Sequence, residues 1–270
     1  MSVYRFFYGR AGKFYPARVF RMVVVRFNFI YFYYMLYIVP TPIGNLQDIT
    51  LRALEMLKTA DAVLCEDTRR TQILLSHFGI SKPAYRYNEN DERSVARCLE
   101  ILQNGKTCAL VSDCGTPCIS DPGWKLVKEA VAAGIKVSSL PGPSAVSCAL
   151  AGAGITGGAF TFLGFLPRKA GKAAKMISAA YGLKIPVVLY ESPYRVIKML
   201  ELIAKTLGEN TPVILARELS KVYEEWLRGT AKTLAEELSK KSKVQGEFVM
   251  IIDRPSAPER EKENEPDTYF

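Results

Sequence analysis

The chain has 270 residues, of which 49% are apolar and 23% charged. That length admits two ordinary domains and a sizeable core, and the composition excludes a disordered or collagen-like chain. The net charge of +9 is concentrated, because Arg5, Arg10, Lys13, Arg18, Arg21 and Arg26 lie in a first stretch that holds no acid; the rest of the chain carries only about +3, so overall charge demands no nucleic-acid partner, although a local basic patch remains open.

Residues 1–34 are rich in aromatics and show neither helical nor strand periodicity. The apolar run FNFIYFYYMLYIV is shorter than the roughly 20 residues a membrane span needs, and no small-residue cleavage site comes after it. The stretch is expected to be an extension outside the fold, with Met35 opening the domain. From there short apolar runs alternate with helical patterns. LYIV reads as a buried strand, and Asp48 as the N-cap of a helix through LRALEMLK. AVLCE, AYRY, TCALVS and IKVSSL read as further strands. Helices are expected around TQILLSHF, ERSVARCLEILQ, WKLVKEAVAAG and AVSCALAG. Asp121-Pro122 is expected to cap and open the third of these, with Pro at the first helical position and Gly134 at its end.

Five strand–helix alternations argue for an α/β fold with a mostly parallel sheet over residues 35–150. The Gly-rich AGAGITGG (151–158) is the linker candidate. Beyond it, FTFLGF, PVVLYE, PVILARE, VYEEWLRGT and EFVMIID alternate with helices over 159–253. VYEEWLRGT comes after ILARE with almost no crossover, so this second α/β unit is expected to have a mixed sheet. Residues 254–270 read as a disordered charged tail.

Ligands of parallel sheets bind beyond the carboxyl ends of strands. Here those ends carry PTPIGN, CEDTR, SDCGTP and PGPSA, each rich in small or restricted residues. No GxGxxG or GxxxxGK[ST] fingerprint stands between a predicted strand and a helix, which argues against ordinary dinucleotide or NTP binding. His77 is the only histidine, which argues against a Ser-His-Asp hydrolase; no Cys/His zinc pattern is present, and no metal is expected. Six Cys without a CxxC pair point to a reducing, cytoplasmic setting; Cys65, Cys108 and Cys148 lie in apolar runs and are expected to be buried. Asp113 sits directly after a buried strand without a capping role and is a ligand candidate. Glu66-Asp67-Thr68-Arg69 is either a cleft wall or an Asp67 N-cap with a surface Arg. Tyr190 to Arg195 is either a second wall or a Ser192-Pro193 helix start. Arg168, Lys169, Lys172 and Lys175 form either a solvated helix face or a phosphate contact.

Taken in order, PTPIGNLQDIT, CEDTRRT, VSDCGTPCISDPG, PGPSA, FLGFLPRK, ESPYR and ARELSKVYEE resemble the tetrapyrrole-methylase superfamily. More narrowly they resemble its branch of 16S rRNA (cytidine-2′-O)-methyltransferases, from about Leu36 to Asp253. The resemblance implies a homodimer with two α/β/α domains per chain and S-adenosylmethionine in the cleft between them. The methyl group would pass to the ribose 2′-OH of a cytidine in 16S rRNA of the small ribosomal subunit. It further implies that Pro42, Gly44, Ser112, Asp113, Gly115, Thr116, Pro117, Pro141, Gly142, Ser144 and Ala145 line the donor pocket. Arg69, Arg168, Lys169, Glu191 and Arg195 would face the pocket or the RNA, and Asp113, Glu66 and Asp67 are the candidate bases for the hydroxyl. Alternatives on the same fold are C-methylation of a tetrapyrrole-like molecule and a non-catalytic RNA-binding module. The chain departs from the family pattern in having Cys65, Cys114 and Cys118 at small or apolar positions. It also has Tyr194 where the family has His, so that His is not required as a base here.

Overall fold

The computed structural model describes residues 35–155 and 158–253. The expected N-terminal extension, the C-terminal tail and part of the linker lie outside the described residues. In chain order the elements of the first half are β1 (Met35–Ile38), α1 (Leu51–Thr59), β2 (Ala62–Cys65), α2 (Thr68–His77), β3 (Ala84–Arg86), α3 (Glu92–Gln103), β4 (Cys108–Val111), α4 (Trp124–Ala132), β5 (Lys136–Ser139) and α5 (Ala145–Ala153). Those of the second half are β6 (Thr161–Phe165), α6 (Ala170–Gly182), β7 (Val187–Glu191), α7 (Val196–Leu207), β8 (Pro212–Arg217), β9 (Glu225–Thr230), α8 (Ala231–Ser239) and β10 (Phe248–Ile252).

The first sheet has the order β3-β2-β4-β1-β5 and is parallel throughout. Its inner strands are apolar at every position because both faces are covered. Tyr37, Val63, Cys65 and Val111 point to the side occupied by Leu57 of α1 and Leu75 of α2. Leu36, Ile38, Leu64 and Leu110 point to Cys98 and Leu102 of α3 and Leu126 of α4. The period-2 alternation of strand side chains thus assigns each helix pair to one face.

The second sheet has the order β6-β7-β10-β8-β9 and is mixed, as the short connection after ILARE predicts. β6 and β7 are parallel, while β10 is antiparallel to both its neighbours and β8 to β9. One face packs on α6, α7 and α8 through Val187, Leu189, Leu215 and Met250. The other face, with Val188, Ile214, Ala216 and Ile251, is covered by Val146, Ala149 and Ala153 of α5. The last helix of the first half therefore roofs the second sheet, and the space between the sheets is closed on that side.

Two caps differ from the sequence expectation. Thr50, not Asp48, caps α1 by accepting from the Ala53 N–H, while Asp48 ends a short 3-10 turn. Gly123, not Asp121, precedes α4, at φ +140° where only Gly is comfortable. Gly152 and Gly154, which open a GxGxxG spacing, lie at the end of α5 and so present no helix N-terminus to a phosphate. Among the thiols expected to be buried, Cys65 and Cys108 are, but Cys148 is exposed because it sits on the outward side of α5. No helix among the described residues is long and apolar enough to cross a membrane.

The loop from β5 to α5 lies hard against the loop from β1: a Cβ on Gly142 would fall 2.6 Å from Cβ of buried Pro40. A proline ring cannot swing away. Gly142→Ala is therefore expected to lower stability by about 1–3 kcal/mol, seen as a reduced urea midpoint at unchanged slope; an unchanged midpoint would contradict this packing.

Candidate functional site

The loops after β1, β2, β4 and β5 emerge from one end of the parallel sheet. Two of them are stitched together: Thr41 N–H donates to Gly115 O (2.9 Å) and Gly115 N–H donates to Thr41 O (3.0 Å). Gly115 holds φ +81° there. The Thr41 hydroxyl donates to Ser112 O, and the buried Ser112 hydroxyl donates to Gly115 O at 3.2 Å. The Thr116 hydroxyl donates to Pro143 O at 3.0 Å, which ties in the third loop. Ser112 and the Thr41 hydroxyl are thus engaged in shaping the loop, while Thr116, Ser144 and Ala145 are left at its surface.

Facing this surface is the second sheet, and between them lies a cavity of about 370 Å³, within the range of small-molecule sites. Gly115, Thr116, Ser120, Asp121, Ser144 and Ala145 line it from the first half. From the second half come Phe165, Tyr190, Glu191, Leu219, Lys221 and Glu247. Gly44 makes the close approach of the halves possible: a Cβ there would overlap Cγ of Lys221. On the far side of Ile43, Gly142 lines a separate shallow groove.

Three carboxylates line the cavity. Glu191 has a side chain only 1% exposed; it accepts the Ser192 N–H at 2.8 Å and lies 3.3 Å from Nη2 of Arg195, which also donates to Leu166 O. This network holds the turn after β7, so α7 begins after Arg195 rather than at Ser192. Glu247 pairs with Lys221 at 2.9 Å, and Lys221 pairs equally with Glu218. Burial alone would lower the Lys221 pKa, but its two carboxylates outweigh burial and raise it, so it stays a cation. Asp121 has no ion pair or hydrogen bond of its own among the described residues. Burial, then the charges of Glu66 and Asp113, push its carboxyl up to about 6. Burial and then the Asp121 charge push the Tyr190 phenol up to about 12.

Glu66 is exposed, and its pKa is raised by burial of its carboxyl and by Asp113 against the pull of Arg70 and Arg86. Asp113 lies 3.6 Å from Nε of Arg70, and its other oxygen is buried without a hydrogen bond. Asp67 caps α2 through the Arg69 N–H and grips the Arg69 guanidinium at 2.8 and 3.1 Å, which holds its pKa far below the usual carboxylate range. That pair stands at the surface, outside the cavity lining, as do Arg168 and Lys169. Pro42, Gly44, Ser112, Pro117 and Pro141 also stand outside the lining and support it from behind or beside.

The thiols are not chemical groups here. Burial pushes Cys114 and Cys118 up to about 11, so both are protonated at neutral pH. Cys118 packs so closely that a Cβ on Gly123 would fall 2.7 Å from its Sγ. Among the described residues no three His, Cys, Asp or Glu side chains gather as a metal site. Phe165 and Lys221 are lining residues to which the sequence reading gives no site role, and Asp121 one to which it gives only a cap, while Tyr190 stands in the stretch read as a possible second wall. Asp121 and Lys221 lie inside the motifs ISDPG and ARELSKVYEE, and Tyr190 begins YESPYR, so proximity to those motifs was the available signal.

Comparison with known proteins agrees with this architecture. Residues 35–235 match the family model of the tetrapyrrole (corrin/porphyrin) methylases. Proteins named ribosomal RNA small subunit methyltransferase I are similar over most of the chain. That of a Hydrogenobaculum species is 43% identical over 223 residues, covering 81% of this chain and 95% of its own. That of Thermotoga maritima is 42% identical over 218 residues, covering 80% and 97%. Among solved structures, the uroporphyrin III C-methyltransferase of Thermus thermophilus superposes with TM-score 0.57 at 18% identity, covering 80% of this chain and 96% of that one. A diphthine synthase superposes with TM-score 0.62 at 17% identity, covering 81% and 88%. At such identities these two show the fold alone.

The raised pKa of Asp121 has a consequence for stability. Its ordinary value is 3.8 and its folded value about 6. The fold therefore binds this proton more tightly than the unfolded chain does, and stability falls as pH rises through that window. Asp121→Asn is expected to be more stable than the parent at pH 7 by roughly 1–2 kcal/mol after solvent screening, with the gain vanishing below about pH 4. Urea unfolding at the two pH values measures it, and a variant less stable at pH 7 would refute the unpaired-charge description.

Proposed function

This chain belongs to the tetrapyrrole methylase family, and on that premise we propose that it methylates ribosomal RNA. The methyl group of S-adenosylmethionine would go to the ribose 2′-OH of a cytidine in 16S rRNA, within the small ribosomal subunit. The observation that carries this reading is the similarity to small-subunit rRNA methyltransferases I over nearly their whole length, joined to a cavity of fitting size and chemistry between the two sheets.

The residues present fit the donor. The charges of Asp113 and Glu66, which stand beside the cavity and act on its lining, give that side a negative field suited to a sulfonium. Leu219 and Ala216 offer apolar surface to a purine. When bound, S-adenosylmethionine supplies a methyl group already activated for displacement. What the chain must add is alignment, exclusion of water and a place for the hydroxyl proton. The stitched loops after β1 and β4 give the first wall rigidity, and the Glu191–Arg195 network does the same for the second. Exposed Phe165 at the cavity rim provides a face for a nucleobase. Arg168 and Lys169, exposed just beyond β6, provide charge for the RNA backbone.

We further place the enzyme in the cytoplasm, where its substrate is assembled, and read it as a homodimer. Leu51, Val222 and Tyr223 are apolar side chains 86%, 93% and 74% exposed, and a second copy would cover them.

Two outcomes are expected. Calorimetry should find one S-adenosylmethionine site per chain, and incubation with unmethylated small subunits should yield one 2′-O-methylcytidine by mass mapping of the rRNA. Methylation of a carbon atom, or no donor binding, would refute the reading. Arg168→Ala with Lys169→Ala should weaken RNA binding and reduce the salt slope by about 2, with donor affinity unchanged.

A further inference from the structure

We propose that Asp121 is the general base of the reaction, the carboxylate that takes the proton from the attacking ribose hydroxyl. The inference rests on the reading of the chain as a ribose 2′-O-methyltransferase and names the group that reading leaves unassigned.

The argument begins with what each acidic side chain already does. Glu191 holds the turn after β7 through Ser192 and Arg195. Glu247 is paired with Lys221. Asp67 caps α2 and binds Arg69. Asp113 faces Arg70, and Glu66 is exposed; neither lines the cavity. Asp121 is the lining carboxylate with neither cation nor hydrogen-bond donor among the described residues.

Its freedom has a structural origin. An Asp-Pro pair ahead of a helix ordinarily caps it. Here Gly123 delays the helix, and the Gly123 N–H is taken by Oε2 of Glu89 at 2.8 Å. Glu89 thus supplies the acceptor at the start of α4, and Asp121 is released toward the cavity. The loop is also pinned on the other side: a Cβ on Gly164 of β6 would lie 3.1 Å from the Ser120 hydroxyl. β6 is irregular between Phe162 and Phe165, and it is this stretch that presents Phe165 to the cavity. Asp121 and Phe165 therefore line one cavity from neighbouring, mutually packed segments: a proton acceptor near an aromatic face.

The charged and titratable groups around Asp121 are Glu66 after β2, Asp113, Cys114 and Cys118 after β4, and Tyr190 on β7. None is a cation. Arg70 is held by Asp113, and Lys221 by Glu218 and Glu247. Asp121 is thereby pushed up to about 6, ionised at neutral pH yet more basic than an ordinary carboxylate. In the step, the hydroxyl oxygen forms a bond to the methyl carbon as its proton passes to Asp121. The carbon–sulfur bond breaks with its electron pair staying on sulfur. The positive sulfonium and negative carboxylate become a neutral thioether and a neutral carboxylic acid, which then loses its proton to water.

The test uses the full chain, unmethylated small ribosomal subunits and S-adenosylmethionine. Single-turnover methylation is followed from pH 5 to 9 for the parent, Asp121→Asn and Asp121→Glu, with donor affinity measured by calorimetry. The parent rate should rise through an apparent pKa near 6. Asp121→Asn should lose about 100-fold or more in rate and lose that limb, while binding donor within about twofold; Asp121→Glu should recover part of the rate. An Asn variant that keeps the acid limb, or one that loses donor binding, overturns the assignment. Carbon NMR of the protein alone gives a readout independent of turnover: a carboxyl resonance absent from Asp121→Asn should titrate near 6, and titration near the ordinary value counts against it. A parent that binds donor but transfers nothing to ribose overturns the functional reading itself, whereas an active parent with an unaffected Asn variant overturns only the role of Asp121.

Discussion

The reciprocal pair of backbone bonds between Thr41 and Gly115 is the constraint on which the site depends. Parallel strands deliver their loops to one edge but do nothing to hold them in place. β1 and β4 are neighbours in the sheet, so their loops leave side by side, and two bonds of 2.9 and 3.0 Å join them. Each such bond contributes on the order of 1 kcal/mol. Their larger effect is geometric. With Gly115 fixed at φ +81°, the next residues turn toward the second sheet, and Thr116 reaches the β5 loop. Ser112 satisfies the carbonyls this geometry turns inward.

The second requirement is that the two sheets come close without collapsing onto each other. Small residues set the approach. Gly44 lets the β1 loop touch Lys221, and Gly152 lets α5 seat against the Trp226 ring, 2.6 Å from where a Cβ would be. Arg228 then donates to Gly152 O and lies over that same ring. α5 covers one face of the second sheet with Val146, Ala149 and Ala153. The cavity persists between these contacts, with Thr116 tied to Pro143 on one wall and Glu191 to Ser192 and Arg195 on the other.

What the sequence reveals of this depends on burial. AVLC, CALV and FVMII are apolar throughout because their strands are covered on both faces, and such runs are legible one by one. The loops PTPIGN, SDCGTP and PGPSA are legible as a ligand edge because glycine and proline cluster there for conformational reasons. Gly115, Thr116, Ser144 and Ala145 duly line the cavity. α5 is less legible: AVSCALAGA is apolar on most sides, so its pattern does not say which sheet it covers. Phe165 is hidden for a related reason, since its exposure to the cavity depends on which face of the second sheet the first half covers. Asp121 is the sharpest case. Asp-Pro before WKLV is a sound capping signal, and only the positive φ of Gly123 and the carboxylate of Glu89, 34 residues upstream, displace it.

An unpaired, partly buried carboxylate is a feature that folding alone does not favour. Arg70 lies close enough to act on both Glu66 and Asp113, yet among the described residues no cation is turned toward Asp121. A neutral residue in its place would relieve the repulsion from Glu66 and Asp113 that now raises its pKa. Local inconsistencies of this kind are expected where function, not stability, sets the residue. The arrangement suits a reaction whose reactants are a cationic sulfonium and a hydroxyl. The negative wall favours the cation on entry, and Asp121 loses its charge as it takes the proton. After transfer neither the thioether nor the protonated Asp121 carries charge, so the attraction that gathered the reactants no longer holds the products. One carboxylate left without a partner thus ties proton removal to the release of product.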